Sequence, residues 1–471
     1  MPLYKHISKI SYQGSWCLPD KYHSPLFGEL IYEDNKHLKL TINGVFIDIN
    51  GREIRSFPII HGFIGDGTRL TLYSSHAIQN ERIFPDFAAK EGTIRSYARG
   101  KSVILCSSAF VGVHINKKEK VVFDKLYLNF ENQELWLGEE MIDIQANTSH
   151  PDVKVIYNFP EVKEYELNNF KLKIRYENWE QLGLFCVNDV VNFRSVIEID
   201  FHGPIFIDEI YKIVIHIRNF ISLFSGYPTN LNSISLNYRE LDKNTAVNML
   251  FHRRKFLPIY NPDIFPSSMI TKFNRLPNPG KLLNNWFDKQ NYLEPVFDLY
   301  FAIMYNPMMY ITNRLLLLTQ ALETYHIRTF DSEILDEDKF DDLKKYLTEI
   351  VEKLPEREFQ SHFKVKIKYM NKKNLRKRLR EIINKFGYLK NVLNIDDRGF
   401  VDKIVITRNY YTHYDPEDLE KAIKLKELNP FINNLRIILA VIILDEIGLS
   451  EDEIKKYIQR DRYRYDMFYI E

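Results

Sequence analysis

Hydrophobic residues recur with a period of two in the first part of this chain and close to 3.6 in the last part, and one packed layer cannot serve both. Leu38-Lys39-Leu40-Thr41-Ile42, Arg69-Leu70-Thr71-Leu72-Tyr73 and Leu126-Tyr127-Leu128-Asn129-Phe130 alternate apolar with polar. Asn43-Gly44 and Gly65-Asp66-Gly67 lie between such runs and read as turns. The spacing predicts many short antiparallel strands, arranged as a sandwich or an open barrel. After Pro204 one helical face appears, through Ile210, Val214, Ile217, Phe220, Ile221 and Phe224, closed by Gly226. Segments 232–238 and 247–251 then read as a returning strand pair, so this part is α+β with a helix across its sheet. Pro258, Pro262, Pro266, Pro277 and Pro279 mark an irregular connection. From about Leu282 onward apolar residues recur at helical spacing, which predicts an all-helical bundle. The expected division is a β-rich region at 1–280 and a helical region at 281–471.

A chain of 471 residues is long enough for two such cores. The 64 Lys and Arg nearly cancel the 63 Asp and Glu, so attraction to nucleic acid must come from a local patch. Cys17, Cys106 and Cys186 lie far apart and form neither a CxxC pair nor a zinc set. With no apolar leader after Met1, a reducing cytoplasm is the expected location. The run Ile437–Leu444 stops at Asp445-Glu446, reads as a core helix, and gives no reason to expect a membrane partner. No phosphate-binding glycine loop, metal-ligand spacing or Gly-x-Ser-x-Gly elbow is present, so no cofactor and no metal are expected.

The chemistry is concentrated in Thr407-Arg408-Asn409-Tyr410-Tyr411-Thr412-His413-Tyr414. These residues close an apolar-periodic helix whose expected buried stripe is Phe400, Val401, Ile404 and Val405, with Arg408 next along it. Pro416 places the helix end near His413. A guanidinium at a core-facing position is costly unless it is paired or lines a cleft. Asn409 and His413 are i,i+4 neighbours, and the negative end of the helix dipole favours a protonated imidazole. Read only as structure, Arg408 pairs with a carboxylate and His413 caps a helix. The spacing alone is weak, because Arg357 and His362 repeat it without the Asn.

Arg408-Asn409, three residues, then His413 at a helix end resembles the signature of HEPN domains (higher eukaryotes and prokaryotes nucleotide-binding), many of which are RNases. A large non-helical region ahead of such a domain is similar to the ApeA-type antiphage defence proteins. Their N-terminal region opens with a pattern like Gly14-Ser15-Trp16-Cys17-Leu18-Pro19, then Gly28-Glu29-Leu30, then an apolar strand with Gly44. The HEPN likeness covers roughly the last third of the chain and the ApeA-type likeness all of it.

The resemblance implies a metal-independent endoribonuclease of prokaryotic antiphage, abortive-infection defence. Its substrate would be RNA, with tRNA one candidate, cut by attack of a 2′-hydroxyl on the adjacent phosphate. His413 would then be general base or acid, Arg408 would neutralise the phosphate, and Asn409 would orient either group. Tyr410 is expected to line the cleft, and Glu323 to hold Arg408 or orient His413. Lys372, Lys373, Arg376, Lys377 and Arg380 are expected to track RNA phosphates. Against that stands a solvated helix face balanced by Asp336, Glu337, Asp338, Asp341 and Asp342. Residues five apart diverge by about 140° on a regular helix, so Arg408 and His413 need two copies to share one cleft. A symmetric homodimer through the helical region is therefore expected, with the N-terminal region sensing a phage-derived activator. The competing reading is a non-catalytic HEPN-like dimerisation bundle attached to a ligand-binding β domain.

Overall fold

The computed structural model describes residues 9–33, 36–48, 50, 52–83, 99–118, 121–146, 153–178, 193–238, 246–251 and 266–469. Cys186, Pro258 and Pro262 lie outside the described residues. The chain forms two compact units, Met1–Gly280 and Lys281–Glu471.

The first unit is built on fourteen strands among the described residues. They are β1 (Lys9–Cys17), β2 (Leu26–Glu33), β3 (Leu38–Asn43), β4 (Ser56–Ile64), β5 (Arg69–Ile83), β6 (Arg99–Val111) and β7 (Val122–Phe130). After the short helix α1 (Gln133–Leu137) come β8 (Ile142–Ala146), β9 (Val153–Tyr157), β10 (Lys163–Glu166), β11 (Phe170–Asn178) and β12 (Phe193–Phe206). Helix α2 (Ile207–Ser225) and the pair β13 (Leu231–Tyr238) and β14 (Ala246–Phe251) follow.

Strand β6 is the pivot of the sheet. One of its edges pairs with β5. The other takes β3 along Lys101–Cys106 and then β14 along Ser108–Val111. The order β6-β3-β2-β1-β4-β5 thus returns to β6 and closes a six-stranded barrel. Beyond β14 the sheet continues open through β13, β7, β12, β11 and β10, while β8 and β9 form a separate pair. The antiparallel strands are those the alternation predicts, and of the two expected arrangements the barrel forms, closed by the pairing of β5 with β6. Trp16, Leu30, Leu40, Ile60, Leu72 and Ile104 are fully buried in the barrel core.

Closure needs backbones that approach closely, and the N-terminal motif supplies them. Gly14 and Gly28 face each other across β1 and β2. A Cβ on Gly14 would collide with the Phe63 carbonyl oxygen, and one on Gly28 with that of Thr41. Trp16, from the same motif, fills the barrel interior. Along the open part, α2 packs on β7 and β12, and Gly226 ends it at φ 81°.

The second unit is helical: α3 (Pro279–Met304), α4 (Ile311–Thr329), α5 (Glu337–Val351), α6 (Arg357–Tyr369), α7 (Leu375–Lys385), α8 (Leu389–Val392), α9 (Asp397–His413), α10 (Leu428–Glu446) and α11 (Glu451–Tyr469). Leu322, Leu379, Phe400, Val401, Leu435 and Ile438 converge from α4, α7, α9 and α10. Each such side chain taken fully out of water stabilises the bundle by about 1.5–3 kcal/mol. By length and composition the stretch Leu425–Glu446 would cross a bilayer. In this fold it supplies core instead, with Ile437 through Leu444 at most 2% exposed. Ser450 and Glu453 exchange backbone and side-chain hydrogen bonds as a capping box for α11.

One expected helix is absent. The stretch 418–427 reads as helical but forms two 3-10 turns, Pro416–Asp418 and Leu425–Glu427. The cause is tertiary: the Ile423 amide donates to Thr407 Oγ1 at 3.0 Å, and the Ile423 side chain is 7% exposed. That anchor draws the segment onto α9 and away from its own helical ladder.

Candidate active site

Helix α9 begins where Asp396 accepts hydrogen bonds from the Arg398 and Gly399 amides. It runs unbroken to His413, and Tyr414 closes it in the left-handed conformation, φ 52° and ψ 37°. Val401 and Ile404 are fully buried on its inner face. The next core position belongs to Thr407, 0% exposed, and not to Arg408 as the stripe predicts. Thr407 Oγ1 donates to the Lys403 carbonyl at 2.6 Å and accepts from Ile423. The small hydroxyl satisfies both neighbours at a position where a guanidinium would carry a desolvation cost.

Arg408 instead lies half-buried, and its Nη1 donates to Asn409 Oδ1 at 3.2 Å. Among the described residues no carboxylate pairs with it. A cation held at a helix end with only an amide for company has donors left for an anion. His413 is exposed in the last turn, one turn beyond Asn409. No hydrogen bond joins Arg408 to His413, as expected for side chains on different faces of one regular helix.

Tyr410 lies half-buried beside the motif and belongs to a cluster that the sequence reading had not assembled. Its ring lies 5.0 Å from that of Tyr411 and 5.6 Å from that of Tyr414, and the Tyr411 and Tyr414 rings are 6.2 Å apart. Burial, helped by the two neighbouring tyrosines, raises the pKa of the Tyr411 hydroxyl. The signal was present as Tyr410-Tyr411-x-x-Tyr414 straddling His413.

Glu323 takes a different partner from the one expected. Its Oε1 receives Nη1 of Arg378, a residue only 8% exposed, at 2.5 Å. The pair joins α4 to α7, and a buried guanidinium requires such a carboxylate. One turn away on α4, His326 is fully buried, stacks on Phe330 and meets Glu381 at 2.6 Å. Burial, the larger influence, lowers the His326 pKa, and the Glu381 hydrogen bond opposes that.

The basic residues of the Lys372–Arg380 stretch are mostly compensated. Lys372 pairs with Glu333 at 2.7 Å and Lys373 with Glu381 at 3.1 Å. Arg376 and Arg380 both reach Asp402 on α9, at 2.7 and 2.9 Å. Lys377 is exposed and has no carboxylate partner among the described residues. The balancing acids are thus Glu333, Glu381 and Asp402, not the Asp336–Asp342 group. Two of the cations fasten α7 to the helix that carries the motif. Arg357 and His362, the second copy of the spacing, are exposed in the first turns of α6. Among the described residues no group of three or more His, Cys, Asp or Glu could hold a metal ion.

Residues 11–286 match the family described as ApeA N-terminal domain 1. Residues 316–453 match the family described as Apea-like HEPN, and HEPN domains are often ribonucleases. No curated protein and no solved structure matches the chain. The first family match spans more than half the chain and the second spans the α4-to-α10 bundle with its Arg408-Asn409-x3-His413 end, so the protein belongs to the ApeA-type HEPN proteins.

Proposed function

We propose that the protein is a metal-independent endoribonuclease whose centre is Arg408, Asn409 and His413, acting in antiphage defence. The observation that carries this reading is an Apea-like HEPN bundle whose α9 ends in an intact Arg-Asn-x3-His motif with a guanidinium free of any carboxylate among the described residues. In the reaction His413 takes the proton of an RNA 2′-hydroxyl. The 2′-oxygen attacks the adjacent phosphorus, and the bond to the 5′-oxygen breaks. Arg408 neutralises the charge gathering on the non-bridging oxygens. The leaving 5′-oxygen takes its proton from a second acid, and a two-fold composite cleft supplies the partner's His413. The products are a 2′,3′-cyclic phosphate and a 5′-hydroxyl, so every proton and bond is accounted for without a metal. Binding energy for the RNA backbone comes from Lys377 and from those cations of α7 that phosphates can draw from surface pairs, which are individually weak. The N-terminal barrel is the module that responds to a phage-derived activator.

The test is RNA cleavage in EDTA by the wild type, His413→Ala and Arg408→Ala. Wild type alone should cut and leave cyclic-phosphate ends, with each variant reduced at least about a hundredfold. Equal cutting by all three would place the chemistry elsewhere. Cutting by none, with or without phage components, would favour a bundle that only dimerises beside a ligand-binding barrel.

A further inference from the structure

We propose that Tyr414, backed by Tyr410 and Tyr411, is a stacking platform for an unpaired nucleobase next to the scissile phosphate. The proposal rests on the ribonuclease reading of the same helix end and adds what the site recognises there. Its first support is conformational. Tyr414 occupies the position just past a helix, at φ 52°, where glycine or asparagine is favoured because a Cβ crowds the backbone. A residue kept against that preference points to its side chain. The second support is exposure: the Tyr414 ring is 63% exposed, although it touches two other tyrosines. Half-buried Tyr410 and Tyr411 hold it edge to face, at interplanar angles of 63° and 83°. The third is place. The ring follows His413 directly, so a base stacked on it would belong to a nucleotide adjoining the phosphate whose 2′-hydroxyl attacker His413 deprotonates.

Aromatic stacking accepts any base but requires that base to be out of a duplex. The cations of the 372–380 stretch offer no aromatic of this kind and are largely engaged by carboxylates. The selectivity expected is therefore for single-stranded RNA over duplex, with little preference for sequence.

The experiment uses the full chain carrying His413→Ala, in EDTA. The probes are a fluorescein-labelled unstructured RNA of about ten nucleotides and the same strand in a duplex, read by anisotropy. The single strand should bind about tenfold tighter than the duplex. Adding Tyr414→Gly should weaken single-strand binding about tenfold while the melting temperature stays level or rises. Tyr414→Phe should stay within about twofold of the parent, because the ring remains. A Tyr414→Gly protein that binds as the parent does, or a parent that binds both RNAs equally, overturns the platform and leaves the ribonuclease reading standing. A parent that binds neither RNA overturns the RNA reading, and the platform with it.

Discussion

Thr407 decides how the motif is presented. Its hydroxyl is the one polar group that α9 buries completely among its described side chains, and it bridges the Lys403 carbonyl and the Ile423 amide. Thr407→Val keeps the shape but leaves the Ile423 amide buried without a partner, which costs about 1–3 kcal/mol. The expected outcome is a lower melting temperature for the helical unit and faster amide exchange across 418–427, the segment held by that bond. Unchanged exchange there would mean the bond holds nothing. The same residue shows the limit of sequence reading. Periodicity correctly placed Phe400, Val401, Ile404 and Val405 inside. It then assigned Arg408 to the stripe, because a 3.6 period places the next buried member only to within about one residue. Glu323 failed differently. That a buried cation needs a carboxylate was legible, but which cation was not: Arg378 lies on α7, so the match depends on how α4 and α7 pack.

At the scale of elements, the alternation and the turn residues gave the strands, and Gly226 gave the end of α2. Barrel closure was not legible, because the partner of an edge strand is a long-range fact. Closure also creates a feature with a measurable consequence. His61 on β4 is fully buried, with Nε2 3.0 Å from the Ile115 carbonyl and Nδ1 3.0 Å from the Tyr22 hydroxyl. His114 stacks on it at 4.4 Å, and its Nε2 lies 2.9 Å from the Gly62 carbonyl. A carbonyl only accepts, so both rings carry a proton on Nε2. Burial pushes the His114 pKa down to about 4 and lowers that of His61. Unfolded, both would take up a proton near pH 6.5. Between about pH 6.5 and 4 the unfolded chain therefore binds more protons than the folded one, and stability falls as pH falls. Melting at pH 7.5 and at pH 5.0 should show the β unit losing stability in acid. His114→Phe, which removes one of the two buried bases, should reduce that loss by about 1 kcal/mol after allowance for solvent screening. Identical losses in both proteins would show that the pair is not the cause.

For the whole molecule, the decisive fact is that α9 is one regular helix from Asp397 to His413. Arg408 and His413 are therefore fixed about 140° apart around its axis, and no rotamer of either cancels that difference entirely. A cleft using both is more readily built by two copies of the helix end facing each other across a two-fold axis. Sequence could state this requirement, since helical angle follows from spacing alone. It could not supply the surface that brings the copies together. The requirement makes a prediction that single variants cannot test. Arg408→Ala and His413→Ala proteins, each inactive, are co-expressed with different tags and purified through both. Every molecule retained then holds one intact Arg408 and one intact His413. If the cleft is shared, cleavage should rise at least about tenfold above either parent but stay well below wild type, because the cleft regains one Arg408 beside one His413 and still lacks the second His413 that protonates the leaving oxygen. If each chain cuts alone, every chain in the mixed dimer lacks an essential group and the preparation stays as inactive as its parents. Failure to retain mixed dimers through both tags would refute the dimer itself, whereas retention without cleavage would refute only the shared cleft.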